Sequence, residues 1–123
     1  MPERPEVPTA MLARVARGMS RLPGTRQDEA WVGVRWRVGS TTVCHVFGGE
    51  DQLFRITFRA ELDEVMAFEH LGVPYFRAGW GRNVVGMLLD DDTDWDEVAE
   101  LLTDSYCLQA PAHLVERVDR PTG

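Results

Sequence analysis

Lysine is missing from this 123-residue chain. All thirteen basic side chains are arginine, set against twenty carboxylates for a formal charge of −7. Such a molecule is not drawn as a whole to duplex DNA, because phosphate charge dominates nucleic-acid affinity. No long apolar run is present, which excludes a membrane-spanning helix. The opening stretch MPERPEVPTAM is charged and proline-rich where a signal peptide would be apolar, so the expected location is the cytoplasm. Cys44 and Cys107 sit in apolar surroundings without a CxxC partner and read as reduced core thiols. His45, His70 and His113 are scattered, with no His-x-x-His or Cys-x-x-His spacing to suggest a metal. Ser105 lies inside a helical pattern, not on a strand-to-helix elbow; it is expected to bond back to its preceding turn and not to act as a nucleophile. With no catalytic residues, cofactor motif or metal set in view, the expectation is a non-enzymatic protein without cofactors.

The charge is unevenly spread. Residues 1–82 carry eleven arginines against ten acids, and residues 83–123 carry two against ten, giving +1 and −8. Seven of those acids fall between Asp90 and Glu100. An EF-hand loop needs glycine at its sixth position and glutamate at its twelfth. Counted from Asp90 these are Trp95 and Leu101, and from Asp92 they are Glu97 and Thr103, so both registers fail. A helix entrance accounts for the residues better: Asp94 caps, Glu97 stands where a capping box places its carboxylate, and the negative charges meet the positive end of the helix dipole. Trp95, Val98, Ala99, Leu102 and Tyr106 then line one face at three- and four-residue steps, with Trp95 expected as a buried anchor.

The rest of the chain alternates between helical and strand periods. Residues 9–19 place Met11, Leu12, Val15, Ala16 and Met19 on one side of a helix, and LPGT at 22–25 ends it. In AWVGVRWRV, positions 32, 34, 36 and 38 alternate with Trp31, Gly33, Arg35 and Arg37, the period of a half-buried strand. Turns at Gly39-Ser40 and GGED lead into TTVCHVF and LFRITFR, making a three-stranded meander. Residues 61–71 read as a helix with Leu62, Val65, Met66 and Phe68 setting its faces. PYFRAGWGRN is a loop or short strand, VVGMLLD a strand, residues 95–108 a helix and 112–118 a short closing piece. The pattern is one domain over residues 8–118, with 1–7 and 119–123 as flexible termini: an α+β sandwich with helices on one face of an antiparallel sheet.

LPG at 22–24, AWVGVRW at 30–36, PYFRAGWGRNVVGMLLD at 74–90 and above all TDWDEVAELLTDSYCLQAPAHL at 93–114 resemble the MmcQ/YjbR family. That group consists of small bacterial proteins with a frataxin-like (CyaY-like) two-layer fold. The resemblance implies DNA binding, the description commonly attached to the family, with two protruding wing-like elements as the contact surface. The residues offer a candidate surface of their own. Arg35, Arg37, Arg55 and Arg59 fall on the polar phases of two strands, where they would share a sheet face with Trp31 as a stacking platform. Arg77, Trp80 and Arg82 form a second arginine-aromatic group. DNA, held weakly and in a salt-dependent way, is the expected partner. The alternative is a protein or small-molecule partner at the Trp31/Trp80 surface, and the bland reading is a solvated sheet face.

The helix-cap reading of the acidic run is checked by melting. Millimolar Ca²⁺ or Mg²⁺ should leave the melting temperature unchanged, whereas a site filled to about 100 times its dissociation constant would add roughly 2.7 kcal/mol.

Overall fold

The computed structural model describes residues 3–79, 81 and 83–118. In chain order the elements are α1 (Thr9–Met19), β1 (Thr25–Glu29), β2 (Val34–Val38), β3 (Thr41–Gly48), β4 (Phe54–Arg59), α2 (Leu62–Leu71), β5 (Tyr75–Arg77), β6 (Val84–Leu89), α3 (Trp95–Gln109) and α4 (Ala112–Val115). The six strands form one sheet in the order β1-β2-β3-β4-β6-β5, and every neighbouring pair is antiparallel. The α+β architecture matches the expectation, with helices on one sheet face. No helix among the described residues is long and apolar enough to cross a membrane.

The strand period decides which residues meet the helices. Val34, Trp36 and Val38 of β2, Cys44 and Val46 of β3, Ile56 and Phe58 of β4, and Val85, Met87 and Leu89 of β6 all face inward. They pack against Val15 and Met19 of α1 and against Val98, Leu102 and Tyr106 of α3. Burying such side chains contributes about 1.5–3 kcal/mol each. The tryptophan that anchors this core is Trp36, 3% exposed. Trp95, expected in that role, is only partly buried: it starts α3 at the rim of the core, where the Arg14 guanidinium lies 6.0 Å from its ring centre.

Four more readings change. The meander has four strands, because TRQDE pairs in full register with β2 as an edge strand. It has no apolar residue to mark a strand period. The strand expected from Ala30 begins only at Val34: Ala30 N–H donates to the Gly33 carbonyl at 3.1 Å, closing a hairpin loop, and Gly33 has φ 72°. A Cβ there would stand 2.0 Å from the Val46 carbonyl oxygen, so only glycine fits. In α2, Leu62 and Met66 face solvent and Val65 alone is fully buried, because this helix crosses the β5 end of the sheet and covers it with one stripe. Residues 3–5, read as part of a terminus outside the domain, lie against the β3–β4 turn. Arg4 Nη1 donates to the Gly48 carbonyl at 3.3 Å, and Gln52 Nε2 donates to the Glu3 carbonyl at 2.9 Å. Residues 119–123 fall outside the described residues.

The acidic entrance to α3 is a cap. The Asp94 carboxylate accepts from the Asp96 and Glu97 N–H groups at 3.1 and 3.2 Å, and Thr93 Oγ1 accepts from Asp90 N–H at 2.7 Å. α2 is entered through a capping box made by Glu61 and Glu64.

Further along α3, Ser105 is fully buried and does not bond its own helix. Its hydroxyl donates to the Val43 carbonyl at 2.6 Å and accepts from the Arg59 N–H at 2.9 Å. The reason lies in the sheet. The β2–β3 register shifts between Trp36 and Arg37, which leaves Val43 as an extra residue, and the β3–β4 pairing ends at Cys44 and Phe58. Beyond that point the strands part, and Ser105 supplies the bonds that the ladder no longer makes. Gln109 Nε2 adds a third tie to the Thr42 carbonyl at 3.2 Å.

Ser105→Ala should cost roughly 2–4 kcal/mol in urea unfolding, since it leaves one buried donor and one buried acceptor unpaired at about 1–3 kcal/mol each. A loss below about 1 kcal/mol, the usual net worth of a single hydrogen bond, would show that the two strands hold together without it.

Candidate nucleic-acid interface

The sheet face away from the helices is built by the opposite strand phase. Across it one row runs Asp28, Arg35, His45, Thr57, Gly86, Phe76, each residue the register partner of the next. Arg37, Phe47, Arg55, Arg59 and Val84 share this side by alternation. Arg35, Arg37, Arg55 and Arg59 therefore do project from one face. It is not an open polar surface, however: Phe47, Thr57 and Val84 on it are buried, and the Phe76 ring covers Gly86, where a Cβ would stand 2.1 Å from the ring.

Most of the arginines are already occupied. Arg37 Nε lies 3.2 Å and Arg26 Nε 3.7 Å from Asp28 Oδ2, so two cations that are register partners share one carboxylate. Arg55 Nη2 donates to both oxygens of Asp51, and its guanidinium stands 5.9 Å from the ring centres of Phe47 and of Phe76. That contact holds the Asp51 carboxyl below its ordinary value. Arg59 Nη1 donates to Asn83 Oδ1 at 3.0 Å, a neutral partner that leaves its charge uncompensated. Arg77 lies on the helix side of the sheet, where Nη1 is 3.8 Å from Glu69 Oε2 of α2; it does not join the other four. Trp80 and Arg82, expected beside it, fall outside the described residues.

Arg35 is different. Among the described residues its side chain makes no hydrogen bond or ion pair; its Nε, like those of Arg37 and Arg55, is buried without a hydrogen-bond partner. Asp28, its register partner, is turned to Arg37 and Arg26 instead. Arg35 opens onto a cleft of about 450 Å³ lined also by Arg4, Trp31, Thr42, His45, Phe47, Thr57 and Arg59. No carboxylate is among the described lining residues. Thr42, Val43, Phe58 and Val84 also line it, beside the point where the β3–β4 pairing ends and Ser105 bonds Val43 and Arg59.

Trp31 stands at the rim fully exposed, on the β1–β2 loop and not on a strand. That loop is tied down by His45, whose Nε2 bonds the Val32 carbonyl while its ring stacks on Phe47 with centroids 4.7 Å apart. Burial pushes the His45 pKa below its ordinary 6.5; the Val32 carbonyl opposes this, and the Arg35 charge adds to it. The ring is therefore neutral at pH 7, with the Val32 bond requiring its proton on Nε2. Sequence spacing did not single out His45 as a site residue; its position opposite Arg35 emerges only from the strand register.

A family model described as YjbR matches residues 20–108, a span from the end of α1 through most of α3. The chain belongs to the YjbR family. No curated protein matches it significantly. The matched span contains every strand of this YjbR-family sheet and Ser105 of α3, which bonds β3 and β4.

Cys44 is among the residues lining the cleft, and Cys107 is not. Cys44 is buried on the helix side, and burial pushes its thiol far up, so it is un-ionised; Cys107 is half-buried on α3.

Because the folded protein disfavours protonated His45, the unfolded chain binds more protons below about pH 6.5, and the stability contributed by this residue is lost as pH falls through that value. His45→Gln should flatten the pH dependence of unfolding between about pH 7 and 5. An NMR titration placing the His45 midpoint at or above 6.5 would contradict the burial effect.

Proposed function

We propose that this YjbR-family protein is a non-enzymatic binding protein that takes DNA on the outer face of its sheet, through the cleft at Arg35. One observation carries the reading: Arg35 is an unpaired cation with a buried donor, in a cleft whose described walls add two more arginines and no acid. An arginine desolvated in this way gains most from an anionic, planar, hydrogen-bond-accepting group such as a phosphate. A broad phosphate track is disfavoured, since Arg26, Arg37 and Arg55 are paired with carboxylates on the same face. Contact is instead confined to the cleft, and the acidic second half of the chain keeps affinity low at physiological ionic strength.

The alternative reading, a small-ligand module, draws support from the size of the cleft, which falls in the range of small-molecule sites. Both readings place an anion at Arg35. They differ in whether an extended strand is needed.

Labelled DNA titrated at several salt concentrations distinguishes them. Arg35→Ala should weaken DNA binding and reduce the slope of log affinity against log salt by about 0.7 for single strands or about 0.9 for duplex. Arg55→Ala should change the slope less, because Asp51 already neutralises that side chain, and Arg14→Ala with Arg17→Ala on α1 should leave it unchanged. Absence of binding at low salt would overturn the DNA reading.

A further inference from the structure

The outer-face cleft combines an anion-seeking end with an aromatic one. We propose that it is a pocket for one unpaired nucleotide, with the base laid on Trp31 and the phosphate held at Arg35. This rests on the reading of the outer face as a DNA contact and narrows it to single-stranded or locally opened nucleic acid.

Trp31 exposes its whole side chain on a loop that is nonetheless fixed, by the Ala30–Gly33 hydrogen bond and by the tie from His45 to Val32. A fully exposed indole contributes nothing to the core, and the fixed backbone beneath it keeps the ring at the rim of the cleft. Indole rings held in this way bind flat π systems, and every base offers one. Inside a duplex both faces of a base are covered by its neighbours, so away from a duplex end only an unpaired base can lie on Trp31.

The other end suits phosphate. Arg35 presents a side chain without an ion pair, Arg59 keeps its charge beside neutral Asn83, and Thr57 and Thr42 line the same wall. The absence of a carboxylate among the described lining residues removes the repulsion that a phosphate would meet elsewhere on a chain of charge −7. The His45 ring is already engaged, stacked on Phe47 and bonded to the Val32 carbonyl, and its part is to hold the loop that carries Trp31. A volume of about 450 Å³ is ample for one nucleotide and far too small for a duplex.

The experiment compares a labelled single-stranded oligonucleotide, the same sequence as duplex, and three competitors: 2′-deoxyadenosine 5′-monophosphate, deoxyadenosine and inorganic phosphate. The expected result is preferential binding of the single strand, displacement by the monophosphate ahead of either fragment, and loss of about tenfold or more in single-strand affinity on Trp31→Ala. Trp31→Phe should recover most of that loss. Neither substitution should lower the melting temperature, because the side chain is fully exposed. Equal affinity for duplex and single strand, unaffected by Trp31→Ala, would overturn the pocket while leaving a DNA-binding face. Competition by phosphate as effective as by the monophosphate would also overturn it, reducing the cleft to an anion site. Binding of the monophosphate without any oligonucleotide binding would support the pocket and remove the DNA reading.

Discussion

The Ser105 hydroxyl holds together the part of the sheet on which the candidate site depends. β3 carries one residue too many for β2, and past Cys44 it leaves β4 as well, so its backbone there would face a dry core unpaired. An unpaired buried carbonyl or N–H costs about 1–3 kcal/mol, which no neighbouring apolar side chain can offset by contact alone. A helix serine that donates to Val43 and accepts from Arg59 resolves both sides of the gap at once. The strands can then separate on the outer face without a loss of integrity on the inner one. The cleft on the outer face borders that separation, and Arg59, whose N–H is bonded by Ser105, is one of its lining residues.

Charge on the outer face follows a similar division. Six described arginines approach it, counting Arg4 and Arg26, yet Asp28 stands between Arg26 and Arg37 and Asp51 against Arg55, so two of these three charges are offset. What remains is a local positive field around Arg35, Arg59 and Arg4. Opposite charges at such distances interact strongly where water is partly excluded and weakly beyond a Debye length of about 8 Å. A protein of net charge −7 can therefore still present one attractive spot to an anion.

How much of this could be read beforehand depended on whether the residues carried a periodic apolar signal. α1, β3, β4 and α3 did, and their spans agree with the expectation to within about two residues, the ordinary spread of element ends. β1 did not, since Thr25, Arg26, Gln27, Asp28 and Glu29 give no alternation to detect; its strand nature comes from pairing with β2. The common face of Arg35, Arg37, Arg55 and Arg59 was legible from strand phase. Their individual states were not, because Asp28 and Asp51 neutralise their partners through register and a turn. Trp31 was assigned to a strand face when Gly33, with its forbidden Cβ, bends the chain out of the sheet just before β2. Ser105 was read by the helix-local rule, while the bulge that gives it long-range partners arises from a mismatch between two strands. His45 became visible only once Arg35 was known to stand opposite it.

The two rims of the sheet set the direction from which anything can approach. β1 ends it with TRQDE, whose charged side chains surround the free backbone groups, and β5 ends it after three residues next to Pro74, which has no N–H to offer. Charged and very short margins of this kind discourage another chain from adding a strand. Growth into fibres and recruitment of a partner by strand addition are both disfavoured by the same device.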